Sequence, residues 1–264
     1  MSIFTTILVS TIALANPTGL ITDTIIEQQI RDRIVGAEEL VVRVDNTPVH
    51  NVFTGKIDRF RLAARNMEVT PELTLELLDI ETDPIDINLK ELQSNPSRKA
   101  LDAPFGAAMH VVIGEDSLNR SMDSPQVEEL INQIFKQITG GNVQITEFRL
   151  VNPGLDFDET GRMTLKIDWQ RLDPAGQPVG NALAMMLSTR LQLVAGDRIE
   201  LFDPIATIND KPISSRLLNG FTRRINGMSI DEFSPEGVTL RFLNLAIEEE
   251  RMDMALFIRV EPEK

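Results

Sequence analysis

The stretch Arg162-Met163-Thr164-Leu165-Lys166-Ile167-Asp168-Trp169 alternates polar and apolar side chains without a break. Met163, Leu165, Ile167 and Trp169 therefore share one face, and Arg162, Thr164, Lys166 and Asp168 share the other. A period of two marks a strand with one face in water and one against apolar matter. The same reading holds for Leu183, Met185, Leu187, Leu191 and Leu193, and again for Met252, Met254, Leu256, Ile258 and Val260. Long strands of this kind pair antiparallel and cover the apolar face with helices. The expected fold class is α+β. Its apolar face is either a plain core or the wall of an apolar container, and the function depends on which.

Between these strands lie helical patterns. Ser124-Pro125 is a strong start signal, with Ser124 as N-cap and Pro125 in the first turn. Val127, Leu130, Ile131, Ile134, Phe135 and Ile138 then form one stripe, closed by Gly140-Gly141. Ser214 or Ser215 caps a second helix carrying Leu217, Leu218, Phe221 and Ile225, and Leu20 to Ile34 reads as a third. Leu40–Asp45, Val52–Ala64, Leu73–Glu81 and Ala107–Ile113 read as strands, with Asp83-Pro84 forcing a bend and residues 93–104 a loop. Glu115–Met122 reads as a short helix. Asn152-Pro153-Gly154 is expected to turn the chain between a strand through Val143–Val151 and another at Leu155–Phe157. Asp83-Pro84-Ile85 and Asp203-Pro204-Ile205 fall at similar places in the two halves, a weak sign of duplication.

The chain has 264 residues, no cysteine, and a net charge of −14 from 26 basic and 40 acidic side chains. Disulfides, thiolate metal sites and cysteine nucleophiles are excluded. A surface so acidic repels phosphate backbones, which argues against nucleic acid. Two local basic clusters stand against the trend: Arg59, Arg61 and Arg65 on one strand, and Arg216, Arg223 and Arg224 on one helix. They read as solvated faces or as headgroup contacts.

No phosphate-binding glycine loop follows a strand. The two histidines, His50 and His110, have no partner at metal-ligand spacing, so no metal and no cofactor is expected. The acids Asp156, Asp158 and Glu159, and Glu248, Glu249 and Glu250, sit at hairpins, where solvated carboxylates belong. No catalytic residue is assigned, and the chain is read as a non-enzyme. There is no tyrosine and one tryptophan, but ten methionines, whose thioethers adapt to irregular apolar ligands.

From Met1 to Thr22 no side chain is charged, and Ile3 to Ala15 is mostly apolar. Residues 1–15 read as a cleaved signal, a membrane-surface anchor or a buried first element. Residues 16–264 read as a single domain.

Several segments together carry a family likeness. They are Asn16-Pro17-Thr18-Gly19-Leu20, Leu40-Val41-Val42-Arg43-Val44-Asp45-Asn46, Glu81-Thr82-Asp83-Pro84-Ile85, Gly114-Glu115-Asp116-Ser117-Leu118-Asn119-Arg120, Leu150-Val151-Asn152-Pro153, Leu201-Phe202-Asp203-Pro204 and Phe257-Ile258-Arg259-Val260. In these the chain resembles the LmeA-like phospholipid-binding family. The resemblance implies an elongated, strongly twisted antiparallel sheet wrapped around long helices, similar to tubular lipid-binding proteins. It also implies cavities for acyl chains and a periplasmic or membrane-facing location in the cell envelope. It transfers no site residue by position.

The expected function is non-catalytic binding of a phospholipid or another acyl-chain ligand in a groove between sheet and helices. The expected lining is Leu130, Ile134, Phe135, Leu183, Met185, Leu187, Leu217 and Phe221. The expected partner is a phospholipid or a membrane surface. The alternative is an envelope scaffold with a filled core and no ligand.

Overall fold

The computed structural model describes residues 23–47, 54–94, 97–122, 124–125, 127–129, 131 and 148–263. These residues are mostly antiparallel sheet with short helices, an α+β arrangement, and they group into two compact units. The first unit comprises residues up to Val112 together with Ile230–Asn244 and Met254–Lys264. The second comprises Ile113–Ser229 with Leu245–Asp253.

The first helix, α1, spans Asp23–Arg31. The strands are β1 (Gly36–Asp45), β2 (Lys56–Ile57), β3 (Arg59–Glu68), β4 (Thr74–Thr82), β5 (Ile85–Asp86) and β6 (Phe105–Gly114), with α2 (Leu89–Ser94) before β6. At the C-terminus β12 (Val238–Glu248) and β13 (Arg251–Val260) complete a six-stranded sheet of order β1-β3-β4-β6-β13-β12. Its inner face follows the period of two. Leu40 and Val42, Phe60 and Leu62, Leu78 and Ile80, and Met109 and Val111 are all buried, with Ile26 and Ile30 of α1 in the same core. Full burial of one such side chain stabilises by roughly 1.5–3 kcal/mol.

The second unit holds α3 (Glu115–Ser121), β7 (Phe148–Phe157), β8 (Arg162–Arg171), β9 (Leu183–Val194), β10 (Arg198–Ile208), β11 (Lys211–Pro212) and α4 (Ser215–Ile225). Its sheet runs β11-β10-β9-β8-β7, antiparallel throughout. The hairpin turns use backbone that glycine and asparagine tolerate: Ala195-Gly196 at φ 54° and 77°, and Asn209-Asp210 at φ 48° and 61°.

Three expectations differ from the structure. Val52–Ala64 is not one strand: Asp58 separates β2 from β3, and β3 continues to Glu68. Residues 93–104 are not wholly a loop, since α2 ends there and Arg98–Ala100 form a 3-10 turn capped by Ser97. Asn152-Pro153-Gly154 does not end a strand. It is a bulge inside β7, where the register with β8 shifts between Val151 and Gly154. Asn152 takes φ 50° there, and Asp203 takes the same φ in the bulge between Phe202 and Ile205 of β10. In both bulges proline follows, which costs no ladder bond because the ladder is already broken. Asp83-Pro84 instead closes β4, so the structural counterpart of Asp203-Pro204 is Asn152-Pro153. The helix expected from Pro125 to Ile138 lies mostly outside the described residues, though Ser124 Oγ accepts from the Val127 N–H at 3.4 Å, as an N-cap should.

Candidate functional site: an open apolar sheet face

Strand alternation and register together build one continuous apolar face in the second unit. Trp169 lies opposite Leu183. Ile167 lies opposite Met185, which lies opposite Ile208. Leu165 lies between Leu155 and Leu187, and Leu187 lies opposite Ala206. Directly opposed residues point to the same face. No charged side chain interrupts these rows.

This face is covered differently from the core of the first unit. There Leu62 is 2% exposed and Leu78 and Val111 are at 0%. Here the buried apolar residues of β7–β10 are Phe157, Ile167, Trp169 and Leu201, while Met163, Leu165, Met185, Leu187, Leu191 and Leu193 are only partly covered. Towards the Asn209-Asp210 hairpin the face opens, with Leu183 at 43% and Ile208 at 37%.

Helix α4 lies along β10. Ser214 caps it, its hydroxyl accepting from the Leu217 N–H at 3.4 Å. Just before it, the Ile213 N–H donates to the Ala206 carbonyl at 3.1 Å. Just after it, Asn226 grips Leu201: its side-chain oxygen accepts from the Leu201 N–H at 2.9 Å, and its amide faces the Leu201 carbonyl at 3.5 Å. The helix therefore runs antiparallel to β10, from the level of Ala206 back to Leu201. The lengths agree: eleven helical residues rise about 16 Å and five strand steps span about 16 Å. No side chain of α4 is buried, and Leu217 is 67% exposed.

The edge strand β7 is held in the same manner as the stretch of β10 that β11 leaves unpaired. Asn119 of α3 donates to the Leu155 carbonyl at 2.8 Å and accepts from the Leu155 N–H at 2.6 Å. Glu115, one turn earlier, accepts from the Phe157 N–H. A primary amide offers the donor and acceptor of a peptide group, so each asparagine replaces a missing strand neighbour. This gives the Gly114–Arg120 segment a physical role: Glu115 and Asn119 at i and i+4 reach the same edge.

The first unit offers a different surface. Across the outer face of its sheet runs an open groove of about 660 Å³, with Arg43, Arg61, Arg65, Asp79, Glu81 and His110 around a floor that includes Ala63, Ala108 and Ala255. Its arginines are largely spoken for. Arg59 pairs with Glu81 at 3.3 Å, Arg61 with Asp45, and Arg65 with Asp79 at 2.7 Å. The Asp79 hydrogen bond raises the Arg65 pKa further above its ordinary value. Opposed charges in register neutralise much of its rim, while Val41 and Leu243, both exposed, lie in the same groove.

Among the described residues no group of three or more acidic or histidine side chains is placed to hold a metal ion, and no helix is long and apolar enough to cross a membrane. A model of the LmeA-like phospholipid-binding family matches residues 15–257. The chain belongs to that family. Comparison with curated proteins and with solved structures returns no match. The LmeA-like match runs through both units, and so includes the open face, α4 and the Glu115–Asn119 latch.

Of the residues expected to line a groove in this LmeA-like chain, Leu183, Met185 and Leu187 stand together on the open face, and Leu217 and Phe221 are on α4 beside β10. Leu130, Ile134 and Phe135 lie outside the described residues. Ile208 and Trp169 belong to the same face and were not among the expected lining. Trp169 was legible from its alternation. Ile208 was not, because the bulge at Asp203-Pro204 changes which β10 residues point inward.

Proposed function

We propose that this chain is a non-catalytic module that holds a phospholipid, or another acyl-chain ligand, against the apolar face of the β7–β11 sheet, and that it serves lipid handling in the cell envelope. The observation that carries the reading is that this face has no charge in its central rows and yet is left partly open, with Leu183 at 43% exposure. Membership of a phospholipid-binding family supports the choice of ligand. Each methylene of an acyl chain laid on such a face gains roughly 0.8 kcal/mol. An apolar surface of this kind on a stable protein marks a binding site.

Native mass spectrometry of the full chain purified from a membrane-containing lysate, followed by lipid extraction, tests this. The expected result is a stoichiometric phospholipid. A clean apo mass that stays unchanged after incubation with vesicles overturns the reading and favours a scaffold. Variants separate container from core. Leu183→Asp and Leu187→Asp should stay folded, keeping a cooperative unfolding transition, and yet lose lipid; variants that simply unfold would make the face core. Leu78→Ala, in the sealed core of the first unit, should cost about 2–5 kcal/mol and leave lipid bound.

A further inference from the structure

We propose that the segment Lys211–Met228, built around α4, docks the protein on an anionic lipid bilayer. Leu217 enters the headgroup layer, and the basic side chains meet lipid phosphates. The proposal goes beyond the ligand reading above, which concerns an acyl chain held on the sheet rather than the membrane surface the protein meets.

The first observation is charge. The chain carries 40 acidic side chains and a net charge of −14. Lys211–Met228 nevertheless contains Lys211, Arg216, Arg223 and Arg224 and no aspartate or glutamate. Among the described residues Lys211, Arg216 and Arg223 enter no ion pair, unlike the arginines of β3, each of which faces a carboxylate. Four basic side chains thus fall within one short segment that holds no acidic one.

The second observation is the disposition of that helix. At about 100° per residue, Leu217, Leu218, Phe221 and Ile225 share an arc of about 100°. Arg216 and Arg223 lie opposite, and Arg224 flanks Leu217. An amphipathic helix packed into a core hides its stripe, but no side chain of α4 is buried and Leu217 is 67% exposed. A basic helix with an accessible apolar edge has the chemistry of one that lies in a headgroup layer. A nucleic-acid partner would satisfy the charges but has no use for Leu217. Docked in this way, the bilayer adjoins β10, whose Ala206 and Ile208 belong to the open face.

Vesicle flotation with the full chain tests the proposal, using phosphatidylcholine vesicles and vesicles that also contain phosphatidylglycerol. The expected result is binding to the anionic vesicles alone, lost as salt is raised. Arg216→Gln and Arg223→Gln should each weaken binding about fivefold, and Leu217→Ser should weaken it without changing its salt dependence. These side chains are exposed, so thermal unfolding of the variants should match the parent. Equal binding to both vesicle types, unchanged binding by the variants, or equally tight binding to a DNA duplex would each overturn the proposal. Native mass spectrometry of the same preparations keeps the two readings apart. A co-purified lipid with no flotation sinks docking alone, and flotation with no retained lipid sinks the container alone.

Discussion

Replacing Asn119 by aspartate changes one atom of the latch on β7 and leaves its shape alone. The remaining acceptor still takes the Leu155 N–H, now held at 2.6 Å. The donor that reaches the Leu155 carbonyl at 2.8 Å becomes a carboxylate oxygen facing another oxygen. One hydrogen bond is lost, about 1 kcal/mol, and a partly buried carbonyl is left unpaired against like charge, a further 1–3 kcal/mol. Asn119→Asp should therefore destabilise by about 2–4 kcal/mol at neutral pH. The pH dependence identifies the cause. The protonated carboxyl can donate to Leu155, so folding favours the neutral form and the folded-state pKa of the new group rises above its unfolded value. Its stabilising contribution is complete below the unfolded pKa and is lost as pH rises through the folded one. The stability deficit of the variant should thus shrink in acid. Urea unfolding of both proteins at neutral pH and near pH 4 reads this as a difference, which removes the background titration of other groups. A deficit below about 0.5 kcal/mol, within the range of an ordinary surface change, or one independent of pH, would refute the latch.

Gly106→Ala tests packing in the first unit. A methyl there would stand 2.5 Å from both the Phe257 ring and an Asp83 carboxylate oxygen, so it should cost about 1–3 kcal/mol by overpacking, seen as a lower urea midpoint. At the β7–β8 hairpin the hydrogen bond from the Thr160 hydroxyl, with the Arg162 N–H behind it, holds the Asp158 carboxyl below the ordinary aspartate range. Its contribution is present above the unfolded pKa and lost as pH falls through the folded one. Carboxyl NMR should show Asp158 titrating low, and the stability gap between the parent and Asp158→Asn should narrow in acid. An ordinary titration would rule out that cap.

Much of the sheet was legible because period two survives translation from sequence to structure. The rows Met163–Trp169 and Leu183–Leu193 needed only counting. The second strand was harder. Phe60, Leu62 and Ala64 point inward while Arg61, Ala63 and Arg65 line the outer groove, so its alternation is clean once the break at Asp58 is known. Asn152-Pro153-Gly154 carries every local mark of a turn, and only pairing with β8 makes it a bulge, since that pairing continues on both sides. The latches were hidden for another reason. Asn119 and Leu155 are 36 residues apart, and Asn226 and Leu201 are 25. No local pattern reports a side chain that replaces a distant strand. The half-covered state of the apolar face was equally out of reach, because alternation shows which residues turn inward and not how much matter lies over them.

Asn226, which seals the β10 edge, is followed by Gly227. That order favours spontaneous loss of ammonia, since a glycine nitrogen meets little obstruction in attacking the neighbouring side-chain amide to form a succinimide, which water then opens to aspartate or isoaspartate. In the folded chain both partners are engaged: the Asn226 oxygen by Leu201, and the Gly227 N–H by the Arg224 carbonyl at 3.2 Å. Unfolding releases them together. We predict that conversion at Asn226 grows with repeated unfolding, and peptide mapping that finds none would sink the idea. The same amide that closes the sheet edge then acts as a covalent clock, recording the time each molecule has spent out of its native state.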